Sequence, residues 1–339
     1  MRLRIFPTSL LTVLCLVGSV SPSEAQCDPD GEVEFVCGPV SPEDLVQVPR
    51  SPWIMVSGME DDGYLYATDV RDLTSRVLFP TPEARPRHDR ETYDACPGPV
   101  TGGFRPHGLS LRPGFDTSHT LYVVRHGERE AIEVFEVDVG AASPTLVWIG
   151  CVVAPEGVSM NSVAALPGGG FVVTNFQIPA GELLEWQPGE GWERVPGSET
   201  AGPNGIVVSE DGRWFYIGGW GTQSLIRLSR GQTPPEVSFV DVGHHIDNVR
   251  WAPDGSLLAA GHVGETQASI MQCLGQGRGC DSVRSMVTRV DPERLTAREI
   301  IQYPSNDLLI LGTVAIEVGG EIWVGGIAGG TRIARFTLR

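Results

Sequence analysis

The chain has 339 residues, 41% of them hydrophobic, and a formal charge of −17 at neutral pH, with 42 acidic residues against 25 basic ones. That balance argues against a nucleic-acid partner, whose phosphates must be met by clustered cations, and is read instead as solubility of an exported protein. All 25 basic residues are arginine, which excludes chemistry that needs a lysine Schiff base or a P-loop lysine.

Residues 1–25 read as a secretory signal. Arg2 and Arg4 precede an apolar run from Leu10 to Val20, and Ser23-Glu24-Ala25 supplies a small-residue cleavage site. The run is short for a bilayer span, so no stable membrane insertion is expected; a retained anchor is the competing reading. Leu14 before Cys15 and Gln26 before Cys27 are not the small residues of a lipoprotein signal. Residues 26–339 are expected to form one secreted or periplasmic domain, since no low-complexity linker or long charge run divides them. The six cysteines left in that segment suggest disulfides. Cys27 with Cys37 and Cys273 with Cys280 are close enough for local loops, leaving Cys96 with Cys151. A zinc site is the alternative, but it lacks paired C-x-x-C spacing.

Strand-like runs begin at Gly63-Tyr64-Leu65-Tyr66-Ala67 and continue with 120–124 and 132–137, after a less regular stretch over 80–103 that is read as a loop or small lid. A repeat then becomes visible. Asn161, Asn204 and Asp247 recur at a constant step of 43 residues, each followed by a glycine-containing turn and a strand: Phe171-Val172-Val173-Thr174, Trp214-Phe215-Tyr216-Ile217 and Leu257-Leu258-Ala259-Ala260. A step of that size matches one four-stranded propeller blade, and a polar residue at one position of successive blades points at a shared axis. Further strands at 321–325 and 331–336 bring the count to about six blades. The predicted fold is therefore all-β, a six-bladed β-propeller with a central channel. The last strand, 332–338, is expected to close it against an N-terminal one. Carboxylates and amides converging on the axis suggest calcium.

The motifs resemble the calcium-dependent lactonase propellers, the paraoxonase and arylesterase branch more than the regucalcin and gluconolactonase branch. The words carrying the resemblance are Pro42-Glu43-Asp44-Leu45, Pro106-His107-Gly108-Leu109, Val123-Val124-Arg125-His126, Met160-Asn161-Ser162-Val163, Pro203-Asn204-Gly205-Ile206 and Ile246-Asp247-Asn248-Val249, in the family's order. The resemblance implies a catalytic calcium held by Glu43, Asn161, Asn204, Asp247 and Asn248, a mixture of carboxylates and amide carbonyls that suits a hard cation. It also implies that His107 and His126 activate the hydrolytic water, a role suited to a side chain titrating near neutrality. His262 is expected to contact a small lactone or ester substrate. His244 and His245 are read as structural.

The sequence also departs from that family. A second, structural calcium would use Asp44 and the Leu109 carbonyl, but its further carboxylate is here Ser162, a weaker ligand. The cysteine bridge between chain ends is not reproduced, so blade closure would rest on hydrogen bonds. The implied activity is hydrolysis of lactones or aryl esters without a serine nucleophile, consistent with the lack of a G-x-S-x-G elbow. A sugar-acid lactonase or phosphotriesterase, differing in the rim loops at 82–103 and 263–281, and a non-catalytic calcium-stabilised binding propeller are the alternatives.

Overall fold

Runs of apolar, aromatic and β-branched residues separated by turn glycines pair into six four-stranded antiparallel sheets. They do so in a computed structural model that describes residues 27–276 and 280–338; the expected signal at 1–25 lies outside the described residues. Strand β1 (Glu34–Cys37) opens the described chain. Blade one follows with β2 (Pro42–Gln47), β3 (Trp53–Gly58), β4 (Leu65–Asp69) and β5 (Thr74–Phe79). Blade two contains β6 (Phe104–Arg112), β7 (Ser118–Gly127), β8 (Ala131–Asp138) and β9 (Thr145–Val153). Blade three is β10 (Met160–Ala165), β11 (Phe171–Asn175), β12 (Glu182–Gln187) and β13 (Gly191–Arg194). Blade four is β14 (Pro203–Val208), β15 (Trp214–Gly219), β16 (Ser224–Ser229) and β17 (Val237–Asp241). In blade five, β18 (His245–Trp251) and β19 (Leu257–Gly264) are followed by helix α1 (Gln267–Gln276), then β20 (Val283–Asp291) and β21 (Thr296–Pro304). The last blade is β22 (Gly312–Val318), β23 (Glu321–Gly326) and β24 (Arg332–Thr337), completed by β1.

Closure therefore joins the two chain ends as expected. Cys37 pairs in register with Arg332 and Glu34 with Arg335, and the Arg335 guanidinium also donates to Glu34 Oε2 at 2.8 Å. Among the described residues the three disulfides are Cys27–Cys37, Cys96–Cys151 and Cys273–Cys280. The second pins the 80–103 stretch to β9, where the Tyr93 ring lies so close that a Cβ on Gly150 would come within 2.4 Å of it. That stretch has no helix or strand, whereas α1, inside the 263–281 loop, was not anticipated from the sequence. Among the described residues no helix is long and apolar enough to cross a membrane.

The first strand of each blade, β2, β6, β10, β14, β18 and β22, lies beside its counterparts in the neighbouring blades, so the six form a ring around the axis. Each has a register break at the same place. Pairing skips between Pro42 and Asp44, Pro106 and Leu109, Met160 and Val163, Pro203 and Ile206, Ile246 and Val249, and Gly312 and Val314. A bulge of this kind bends the strand and re-aims the unpaired side chains. The unpaired positions hold Glu43, His107, Asn161, Asn204, Asp247, Asn248 and Thr313. Consecutive Asp247 and Asn248, which would face opposite sides of a regular strand, are both placed by the bulge to serve the axis.

Candidate metal centre and histidine pair

Inner strands can converge this tightly only where a side chain is missing. A Cβ on Gly108 would lie 2.6 Å from the Asn161 carbonyl oxygen, and one on Gly205 would lie 2.6 Å from both Asn248 Cα and the Asp247 carbonyl oxygen. This close approach is why His107 and Asn204 are each followed by glycine. The polar groups then meet. Glu43 Oε1 accepts from Asn248 Nδ2 at 2.7 Å and lies 3.6 Å from His107 Nε2, while the Asp247 carboxylate accepts from the Asn204 side chain. Thr313, which sequence reasoning missed, completes the sixth inner strand by donating from Oγ1 to the Glu43 carbonyl at 2.6 Å.

Four oxygens at this convergence are buried and have no hydrogen-bond partner: Glu43 Oε2, Asn161 Oδ1, Asn204 Oδ1 and Asn248 Oδ1. Buried acceptors are ordinarily satisfied, and leaving one bare costs about 1–3 kcal/mol. Four bare oxygens on four residues already expected to bind calcium, together with the carboxylate of a fifth, Asp247, fit a hard cation that takes six to eight oxygen ligands. The electrostatics agree. Burial, reinforced by the Glu43 charge, pushes the Asp247 carboxyl well above the usual carboxylate range. Burial works against a charged His107 ring, yet the Glu43, Asp247 and Asp44 carboxylates outweigh it and hold the ring above its ordinary range. The channel is thus short of positive charge; a cation among these oxygens would offset the carboxylates and leave His107 free to act as a base.

His107 Nδ1 lies 2.8 Å from His126 Nε2, and His126 Nδ1 lies 2.8 Å from Glu130 Oε2. Burial holds His126 below its ordinary range. His262 is brought next to Asp247, its Nδ1 4.0 Å from Asp247 Oδ2, and its Nε2 accepts from the Trp220 indole at 3.1 Å. It is buried beside a carboxylate of the centre, not set at an open rim. His245 Nδ1 bonds the Trp220 carbonyl at 2.6 Å, and its ring packs on that indole.

The two groups left for a second calcium are already occupied. Asp44 accepts at Oδ1 from the Leu45 amide at 2.8 Å, and at Oδ2 from the Leu109 amide at 2.6 Å and from the Arg250 guanidinium. The Leu109 carbonyl accepts from the same Arg250 Nη2 at 2.9 Å. Arg250 also donates to the carbonyls of Leu45 and Val249. With Ser162 in place of an acid, these residues do not fit a second divalent ion; a guanidinium takes that place. Burial pushes the Asp44 carboxyl up to about 6 against the pull of Arg250. Arg250 also lines a cavity at the other end of the inner strands. That cavity, about 600 Å³ and lined by Leu109, Arg250 and Ile316, opens at the end of the axis opposite the histidine pair. Arg250→Met should therefore lower stability by about 3–5 kcal/mol, the usual cost of stripping one partner from a buried pair. Urea unfolding would show this, and adding Asp44→Asn should restore part of the loss.

His244 provides a separate handle on stability. Burial holds its imidazole down at about 4, against roughly 6.5 in an unfolded chain. The unfolded state takes the proton first, so this contribution is complete above pH ~6.5 and is lost toward pH ~4 at about 1.4 kcal/mol per pH unit. Unfolding followed at pH 7 and pH 4.5 should show the decline, and His244→Leu should flatten it.

No family model and no curated protein matches this sequence. Solved structures match across nearly the whole chain. A luciferin-regenerating enzyme is 12% identical, covering 90% of this chain and 94% of its own, with a TM-score of 0.56. A protein assigned to the gluconolactonases is 14% identical, covering 94% and 97%, with a TM-score of 0.54. A calcium-binding regucalcin from Agrobacterium tumefaciens strain C58 is 13% identical, covering 90% and 92%, with a TM-score of 0.51. At these identities the likeness is one of fold.

Proposed function

We propose that this chain is an exported, calcium-dependent hydrolase of lactones or aryl esters that uses a single calcium ion. The observation supporting it most directly is the set of four bare oxygens packed against a hydrogen-bonded histidine pair. The calcium-binding regucalcin and the gluconolactonase assignment among the similar folds support the metal and the reaction class. Three disulfides support export, because such bridges persist in oxidising compartments. The single ion follows from Arg250 holding both Asp44 and the Leu109 carbonyl.

Glu43, Asn161, Asn204, Asp247 and Asn248 would hold the calcium, which when bound supplies polarisation of the substrate carbonyl and charge for the oxyanion. His107 takes the proton of the attacking water at Nε2, the nitrogen facing Glu43 and the channel. His126, bonded to the other nitrogen of that ring, orients it and shares the charge. The proton returns to the leaving oxygen when the acyl carbon–oxygen bond breaks. His262 donates from Nδ1, because its Nε2 is engaged by Trp220; a donor beside Asp247 can orient a substrate oxygen.

Purified residues 26–339 should hydrolyse at least one of an aliphatic lactone, an acyl-homoserine lactone and phenyl acetate when calcium is supplied. If folded, calcium-loaded protein turns over none of them, the binding-propeller alternative replaces this reading.

A further inference from the structure

Glu130 sits beyond β7 in the turn to β8, and both of its carboxylate oxygens are engaged. Oε2 is 2.8 Å from His126 Nδ1, and Oε1 accepts from the Met160 amide at 2.6 Å. An ionised carboxylate can only accept, so the hydrogen in the first contact belongs to His126 Nδ1. A neutral His126 then carries its lone pair on Nε2, and the 2.8 Å bond between the rings must be donated by His107 Nδ1. The lone pair of His107 is thereby left on Nε2, which lies 3.6 Å from Glu43 Oε1, an oxygen of a carboxylate expected to hold the calcium. One carboxylate thus determines the direction of the whole chain of bonds.

We propose that Glu130 is a positioning residue for hydrolysis: it sets the tautomers of both rings so that the base points at the substrate, and it steadies His126 when that ring is charged. This rests on the hydrolase reading above. In the step it serves, water yields its proton to His107 Nε2 and His107 passes the Nδ1 proton to His126 Nε2. The resulting imidazolium is held against the Glu130 carboxylate. The reverse transfers deliver a proton to the leaving alkoxide. The Met160 amide has a second consequence. Met160 begins β10 immediately before Asn161, so the carboxylate that aims the base is anchored to the strand supplying an expected calcium ligand.

The rival role is a plain strap between the β7–β8 turn and β10. Glu130→Gln separates the two, because its amide oxygen can keep the Met160 amide while its NH2 group, a donor, then faces His126 Nδ1 and favours the other tautomer. Nitrogen-15 spectra of calcium-loaded, histidine-labelled wild type should show both His107 and His126 protonated at Nδ1, and the variant should lose or reverse that pattern. Its kcat should fall about 100-fold, with KM within about threefold and calcium affinity by titration unchanged; Glu130→Asp should regain part of the rate that Glu130→Ala loses. Rings protonated at Nε2 in the wild type, or a variant kcat within about twofold, would overturn the proposal, as would calcium affinity falling in step with rate. Wild-type protein without turnover would instead sink the hydrolase reading, and the spectra would still decide whether Glu130 sets the tautomers.

Discussion

Glutamine in place of His107 is expected to lower kcat by about 100- to 10,000-fold, the range that a positioned general base supplies, while calcium affinity changes by less than about threefold. The side chain is similar in reach and can still donate toward Glu43 or His126, but it has no basic nitrogen to take the water proton. Removing a group that acts only as the proton moves lowers kcat and kcat/KM together, so KM should hardly change. His126→Gln should be milder, because His107 Nε2 would still face the channel and lose only its partner on the far side. Steady-state kinetics beside a calcium titration on the same preparations checks both. Retention of turnover within a few-fold in His107→Gln would remove the base from the proposed mechanism and point to direct attack by a differently activated water.

The residues found from the repeat were those on blades with short, equal connections, whereas Glu43, His107 and His126 were found from the resemblance. Asn161, Asn204 and Asp247 keep a constant step because blades three and four carry no insertion between bulges. Blade five contains α1 and the Cys273–Cys280 loop, so the step from Asp247 to Thr313 is much longer, and the sixth inner strand lost its signal. The bulge itself was not legible. Period-two alternation assigns Asp247 and Asn248 to opposite faces, and only the skipped pairing between Ile246 and Val249 explains why both serve the axis.

Charge placement was hidden for a different reason. A glutamate four residues after a histidine in a hairpin turn, such as Glu130, reads as an ordinary solvated charge until the fold brings Met160 to it. Arg250 likewise carries no signal in the sequence, where it only follows the Ile246-Asp247-Asn248-Val249 motif. The clue was indirect: Asp44 is buried, so it needed a cation, and Ser162 had removed one of the acids that a metal would have wanted. A charge missing from an expected ligand set can be a sign that the counterion has changed from a metal to a side chain. Here that side chain came from β18, far from Asp44 in sequence but beside it across the axis.

Calcium removal is expected to abolish turnover and to lower stability, and the two effects have separable origins. Turnover fails because neither Arg250, which is committed to Asp44 and three backbone carbonyls, nor His262 can supply a divalent charge to the carbonyl oxygen. Stability falls because chelation leaves the Glu43 and Asp247 carboxylates close together with four bare oxygens around them. Ligand linkage sets the size: at a hundredfold excess over Kd, one ion contributes about 2.7 kcal/mol, which for a chain of this length shifts Tm by about 4 °C. Arg250 keeps the loss from being total, since the layer beneath the metal retains its own cation. Thermal unfolding with calcium and with chelator should thus give a modest drop in Tm with the folded baseline preserved, alongside a complete loss of hydrolysis that returns on adding calcium back. A collapse of the fold on chelation would mean that Arg250 does not hold the ring of inner strands by itself. An unchanged Tm with full activity would mean that the bare oxygens are satisfied by water and not by an ion.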